Sequence, residues 1–258
     1  MTLNPSENRP QNPHVDSSGS ESGMSPASGN ASSQDAEVFA RLLSGRYSCR
    51  GFLPEQVPRA TIVRILEMSQ RTASWCNSQP WKVVIASGAA IERFRDALYS
   101  HVSAGAQEAS DFPFPREYRG EYLNRRRECG FQLYNTLGIA RGDKAAYNRQ
   151  FLENYRLFGA PHVAIITTDE ALGVYGVLDC GAYVSNFVLA ARSLGVAAIA
   201  QAAIAGQSPF VRAHFKLPED RRVVCGISFG FEDQSHPANR FRTTRAGLDE
   251  TVTWKEEP

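Results

Sequence analysis

Much that would announce a function is missing from this chain. Its cysteines (Cys49, Cys76, Cys129, Cys180 and Cys225) are odd in number, and no pair is spaced Cys-x-x-Cys. That argues against a disulfide framework or a zinc site, so no metal is expected, and it suits a reducing cytoplasm. Charge of one sign is not in surplus: 28 Lys and Arg face 27 Asp and Glu, a formal net charge of +1. No overall pull toward nucleic acid or an acidic membrane follows from that balance. The longest apolar stretch, residues 187–200, is interrupted by Arg192 and Ser193 and is too short to cross a bilayer. No secretory leader is expected, because residues 1–34 contain no apolar run. There is no Gly-x-Gly-x-x-Gly turn, no phosphate loop ending in Gly-Lys-Ser/Thr and no internal repeat.

What remains is a chain of 258 residues with 42% hydrophobic and 21% charged side chains, an ordinary soluble composition. That length buries a core large enough to need no covalent staple. Residues 1–34, rich in Ser, Asn, Pro and Gly, are expected to form a disordered arm, and residues 35–258 one domain. Asp35 reads as a helix N-cap, with Val38, Phe39, Leu42 and Leu43 on one stripe ending at Gly45. A second helix follows Pro58 with Ile62, Ile65, Leu66 and Ser69 on one face. Residues 81–86 read as a strand, and Ile91, Phe94, Leu98 and Val102 carry helical spacing. Residues 117–156 read as polar helix, with Arg125, Arg126 and Arg127 on a solvated face. Strands are expected at 162–167, 196–204 and 223–230, with a long helix at 171–194 and a short one opened by Pro209. The 171–194 helix is apolar nearly all round, which places it in a core or at a subunit interface. Strands interspersed with helices, without regular alternation, indicate an α+β class.

Two stretches carry chemistry. In Arg46-Tyr47-Ser48-Cys49-Arg50-Gly51-Phe52 the two arginines flank a hydroxyl at alternating positions. If that segment is extended, Arg46, Ser48 and Arg50 share a face and can bind phosphate or polarised carbonyl oxygens. One helix later comes Ser74-Trp75-Cys76-Asn77-Ser78-Gln79-Pro80-Trp81. Between residues 105 and 116 the periodicity breaks at Phe112-Pro113-Phe114-Pro115, which reads either as a loop tacked to the core or as an aromatic lid over a flat ligand. Cys49 and Cys76 read as packing residues, and His101 and His214 as structural.

Taken together, these stretches resemble the nitroreductase family from about residue 36 onward. The resemblance is carried by Arg-x-Ser-x-Arg-x-Phe at 46–52, Ala-Ser-x-x-Asn-x-Gln-Pro-Trp at 73–81, Leu-Asp-Cys-Gly-Ala at 178–182 with Asn186, and Arg-Thr-Thr-Arg-Ala-Gly-Leu-Asp-Glu at 242–250. It implies a three-layer fold around a mixed, mostly antiparallel sheet, built as an intertwined homodimer with FMN at the interface. It further implies that Arg46, Tyr47, Ser48 and Arg50, with Arg242 or Arg245, bind the cofactor. Ser74, Trp75 and Asn77 would reach it from the partner subunit, and Gln201, Ala202 and Ala203 would offer backbone N–H groups. Two departures stand out: Ala202-Ala203 replaces a common Glu-Gly pair, and Thr243 a common basic residue.

The activity so implied is ping-pong reduction of nitroaromatic compounds by NAD(P)H, with Phe112, Phe114 and Tyr118 at the substrate. Arg50 would act as electrostatic support rather than as an acid, base or nucleophile. Competing readings are a quinone or enone reductase or a reductive dehalogenase on the same fold, a non-catalytic flavin sensor, or a nucleic-acid module using residues 125–127. The cofactor reading predicts a homodimer, a small aromatic substrate, and no nucleic-acid or membrane partner.

Overall fold

A computed structural model describes residues 29–256. The arm expected to be disordered lies mostly outside them, but helix α1 (Gly29–Gly45) begins ahead of Asp35, the cap expected from sequence. No proline between Asn30 and Gln34 interrupts the helix on its way back to Gly29. Pro58 precedes α2 (Arg59–Ser69), which buries Ile62, Ile65 and Ser69 as read from the sequence. Strand β1 (Lys82–Ser87) leads to α3 (Ala89–Ser103), which buries Ile91, Phe94 and Leu98. The polar region at 117–156 is two helices, α4 (Gly120–Thr136) and α5 (Lys144–Leu152), the second capped by the Asp143 carboxylate accepting from Ala146 N. Then come β2 (His162–Asp169), α6 (Gly173–Ser193) and β3 (Ala197–Gln201). The extended segment expected to reach residue 204 stops at Gln201, because α7 (Ala202–Ala205) starts there. Helix α8 (Ser208–Phe215), β4 (Arg221–Gly230) and a final turn, α9 (Leu248–Thr251), complete the chain.

The four strands lie in the order β1-β2-β4-β3, and each neighbouring pair is antiparallel. Parallel links are confined to the isolated bridges Ser48↔Ala198 and Ala109↔Gln207 among the described residues. Strand β2 is central and buried from His162 to Thr168, so its side chains feed both faces. Ala164 and Ile166 join Ile62, Ile65, Tyr183, Phe187, Ile227 and Phe229 on the α2–α6 side. Val163 and Ile165 join Phe94, Leu98, Leu157, Ile204, Val211 and Val223 on the other. This is a three-layer α+β arrangement.

Helix α6 buries only one side. Cys180, Tyr183, Phe187 and Ala191 pack inward, whereas Val174, Tyr175 and Leu178 are 80%, 60% and 65% exposed. By length and composition alone Glu170–Ser193 could cross a membrane, but Asp179 and Arg192 lie within it and its inner face is committed to the sheet.

His162, buried at the start of β2, is held from both ring nitrogens. Its Nε2 accepts the Val57 N–H at 2.9 Å, so the proton sits on Nδ1, 2.6 Å from Ser87 Oγ. The ring stacks on Phe229 at 5.0 Å, and burial lowers its pKa. A depressed histidine pKa means the unfolded chain binds more protons below the ordinary value of about 6.5. Stability from this residue is therefore complete above that pH and declines as pH falls through it toward the folded pKa. Urea midpoints at pH 7.5 and 5.5 should show a larger acid loss for the native chain than for His162→Asn; equal losses would exclude this account.

Candidate functional site

The arginine-rich stretch leaves α1 as an extended segment clamped from two sides. Along β3, Ser48 bridges Ala198, and Cys49 N donates to Ala198 O at 3.3 Å. From the other side comes the tail beyond β4. Leu53 N donates to Phe231 O at 2.9 Å and Asp233 N to Gly51 O at 3.0 Å. Asn239 closes the clamp: its Oδ1 accepts from Arg50 N, and its Nδ2 donates to Gly51 O and Asp233 O, each at 2.8 Å. A Cβ at Gly51 would lie 2.4 Å from His236 Cγ, so the crossing admits only glycine without displacement.

With Cys49 and Phe52 buried, the segment turns its donors outward. Arg46, Tyr47, Ser48 and Arg50 line a cleft of about 160 Å³ together with Cys129, Phe241, Thr243 and Arg245. Burial, and then the nearby Arg245 charge, lower the Arg46 pKa; burial likewise lowers that of Arg50. Among the described residues none of Arg46, Arg50, Arg242 and Arg245 forms an ion pair. The Tyr47 hydroxyl is buried beside the Glu232 carboxylate without a well-formed hydrogen bond, and its pKa is raised by burial and then by Glu232. Guanidinium groups that line one cleft with no ion-pair partner among the described residues have the charge and donors that an anion from outside the chain would need.

The tail arginines divide the work. Arg242 lies 3.5 Å over the Tyr47 ring and donates to Asn239 O at 2.6 Å and Phe241 O at 2.9 Å, so its guanidinium is committed. Arg245 lines the cleft, steadied by Thr243 Oγ1 and Thr244 O at 2.8 Å. Arg240 is exposed and outside the lining.

The other sequence-flagged residues lie elsewhere. Ser74, Trp75 and Asn77 are placed by α6: Trp75 N donates to Asp179 Oδ2 at 3.0 Å, and the indole lies 5.5 Å from the Tyr175 ring. Among the described residues no hydrogen bond joins them to the arginine cleft. Their backbone is strained, with Cys76, Asn77 and Gln79 all at positive φ, at a cost of order 1–3 kcal/mol for each non-glycine residue. Gln201 is buried, its amide donating to Asn154 O at 2.8 Å and accepting from Ser228, so its side chain is structural. From Ala198, beside Ser48, to Gln201 the strand advances about 10 Å before Ala202 and Ala203 open α7. The 105–112 loop is pinned there by Ala109 N to Gly206 O at 2.8 Å, and Phe114 packs against Gly206. Phe112 and Phe114 are half-buried, while Tyr118 is exposed beneath Arg126 at 5.0 Å.

Sequence reasoning overlooked Asn239, Cys129, Tyr175 and the roles of Gln70, Gln79 and Asp179. Only Gln79 and Asp179 fell within a quoted motif; the others act through contacts between distant segments.

The model of the Nitroreductase family matches residues 43–231. This chain belongs to the nitroreductase family. Nitroreductase NfnB of Mycolicibacterium smegmatis is 37% identical over 221 residues, covering 84% of this chain and 92% of the relative. A 4-nitrobenzoate reductase of Nocardioides sp. is 34% identical, covering 84% and 90%. The solved structure of FMN-dependent NfnB from Mycobacterium smegmatis in complex with NADPH superposes with a TM-score of 0.82 at 34% identity, covering 86% of this chain and 99% of that one. Because Asn239 ties this family hook to the tail, Asn239→Ala should lower unfolding stability by about 1–3 kcal/mol, measured by urea titration. An unchanged midpoint would show that the clamp does not depend on this amide.

Proposed function

We propose that the chain is an FMN-dependent oxidoreductase that takes electrons from NAD(P)H and passes them to nitroaromatic compounds, working as a cytoplasmic homodimer. The observation that carries this reading is the cleft that Arg46, Arg50 and Arg245 line with no carboxylate partner among the described residues. A phosphate ester answers that charge, and relatives of this length are FMN-dependent or reduce nitrobenzoate.

When bound, FMN supplies the hydride chemistry that carries electrons from nicotinamide to acceptor. Arg46, Ser48 and Arg245 would hold its phosphate and polyol. Arg242 stiffens this end by covering Tyr47 rather than by touching the phosphate. Arg50 is fixed through Ser48 O at 3.2 Å and supplies a positive charge that favours negative charge on a bound ring. Ala202 and Ala203 begin α7, where first-turn N–H groups lack intrahelical acceptors. Backbone donors there require no acidic side chain, which accommodates the Ala-Ala departure. Phe112, Phe114 and Tyr118 would bound the substrate space.

Dimerisation is supported by the uncovered apolar face of α6 and by exposed Leu43 and Trp75. A partner copy covering that face would bring Ser74, Trp75 and Asn77 to a flavin they do not meet within one chain. Five free thiols accord with a reducing compartment.

The purified chain should be a yellow dimer whose colour bleaches with NAD(P)H and returns on adding 4-nitrobenzoate; a colourless monomer without FMN affinity would sink the proposal. Arg245→Ala should weaken FMN binding about 10- to 100-fold, the loss of a charge-assisted contact, whereas Arg242→Ala should weaken it less. Fluorescence titration with FMN ranks the two, and the reverse order would reassign the phosphate contact. Replacing Phe112 and Phe114 together by Ala should change KM across a nitroaromatic panel while FMN affinity is retained; an unchanged profile would remove the aromatic lid.

A further inference from the structure

We propose that Tyr175 and Asp179, one helical turn apart on α6, are positioning residues that hold Trp75 as an aromatic wall for the substrate. This rests on the functional reading above. At i and i+4 the two side chains emerge from the same side of the helix, and each grips a different part of Trp75. Asp179 is 9% exposed, has no ion-pair partner among the described residues, and accepts the Trp75 backbone N–H at 3.0 Å. Tyr175 meets the indole at 5.5 Å with the rings inclined by 41°. Within one chain the indole is nevertheless 66% exposed, so one part of its surface is supported and the rest faces the space that the partner copy and its flavin would complete.

The loop cannot hold that geometry by propensity. Cys76, Asn77 and Gln79 all sit at positive φ, a region such residues leave when free. Within the loop Ser78 N donates to Trp75 O and Asn77 N to Ser74 O, each at 3.0 Å, and Gln79 N to Ser74 Oγ at 2.9 Å; the side-chain relay that reaches it from α2 and Trp81 ends on Asn77. Trp81 Nε1 donates to Gln70 Oε1 at 3.0 Å, Gln70 Nε2 to Gln79 Oε1 at 2.9 Å, and Gln79 Nε2 to Asn77 Oδ1 at 3.1 Å. Trp81 is itself anchored on Tyr183 of α6 at 5.0 Å. This relay occupies the Asn77 side-chain carbonyl. One helix therefore sets both members of the motif: Asn77 through the glutamines, and Trp75 through Asp179 and Tyr175. An aromatic acceptor stacks on the wall, and the arginine cleft remains the grip on the cofactor. Loosening the wall should weaken capture of the acceptor rather than the chemistry that follows.

Two measurements test this. The first uses the protein without added flavin: the time-resolved anisotropy of Trp75, taken as the difference between each protein and its Trp75→Phe counterpart. Asp179→Ala and Tyr175→Ala should show faster, larger-amplitude indole motion, while Asp179→Asn and Tyr175→Phe, which keep an acceptor or a ring, should resemble the native chain. The second uses the FMN-loaded dimer: the alanine variants should raise KM for 4-nitrobenzoate at least tenfold with kcat changed less than threefold, and the conservative variants should restore KM. Unaltered anisotropy in both alanine variants overturns the clamp whatever the protein does. Altered anisotropy with kcat and KM moving together, or with KM unmoved, overturns the wall. Failure of the native chain to bind FMN overturns the functional reading instead, and the anisotropy result still decides the clamp. If Asp179→Ala does not fold, Tyr175→Ala and its Phe rescue carry both measurements.

Discussion

The crossing of residues 46–52 with the tail beyond β4 is the constraint on which the site depends. Neither segment is a regular element, so neither satisfies its own backbone groups. One carboxamide, Asn239, serves three of them, and Gly51 allows the tail to pass at van der Waals distance. Strand β3 supports the same segment from the other side through the Ser48–Ala198 bridge. An extended piece of chain is thereby held as firmly as a strand, which is what a precise anion site requires.

That rigidity has an electrostatic consequence. Arg46 is partly desolvated and lies close enough to Arg245 for the two to repel, as its lowered pKa records; among the described residues neither is paired with a carboxylate. Folding tolerates the arrangement because the arginines are only partly buried and Arg242 is drawn off onto Tyr47 and two carbonyls. The unspent attraction is available to a phosphate, and recognition follows from a deliberately incomplete charge balance. The Asp111 carboxylate makes the contrast: it pairs with Arg212 and Arg222 and accepts from Val223 N, leaving nothing for a ligand.

Helix α6 links the core to the other half of the site. Tyr183, Phe187 and Ala191 are locked into the sheet, so the helix cannot shift without disturbing the whole layer. Its outer residues inherit that rigidity while remaining apolar and uncovered, and the strained Ser-Trp-Cys-Asn loop is mounted on them. The arginine cleft beside β3 and the Trp75 loop ahead of β1 thus flank opposite edges of the sheet; on the reading proposed above, that division favours assembly from two copies.

The sequence by itself determined most of the elements, and its motifs the family. A continuous apolar run located β2, helical spacing located α2 and α3, and an apolar circumference marked α6, because burial writes itself into local hydrophobicity; Arg46-x-Ser48-x-Arg50 pointed to an anion only in company with the other family motifs. The boundary at Gln201 was misread because Ala-rich sequence carries no period to separate strand from helix. Which tail arginine faces the cleft, which residue clamps residues 46–52 and what holds Trp75 were decided only in three dimensions. Arg242 and Arg245 are chemically identical, and their different fates depend on where Tyr47 and Thr243 come to lie. Asn239 and Tyr175 act on segments 188 and 100 residues away, and no local pattern encodes a contact whose partner the chain reaches only after folding.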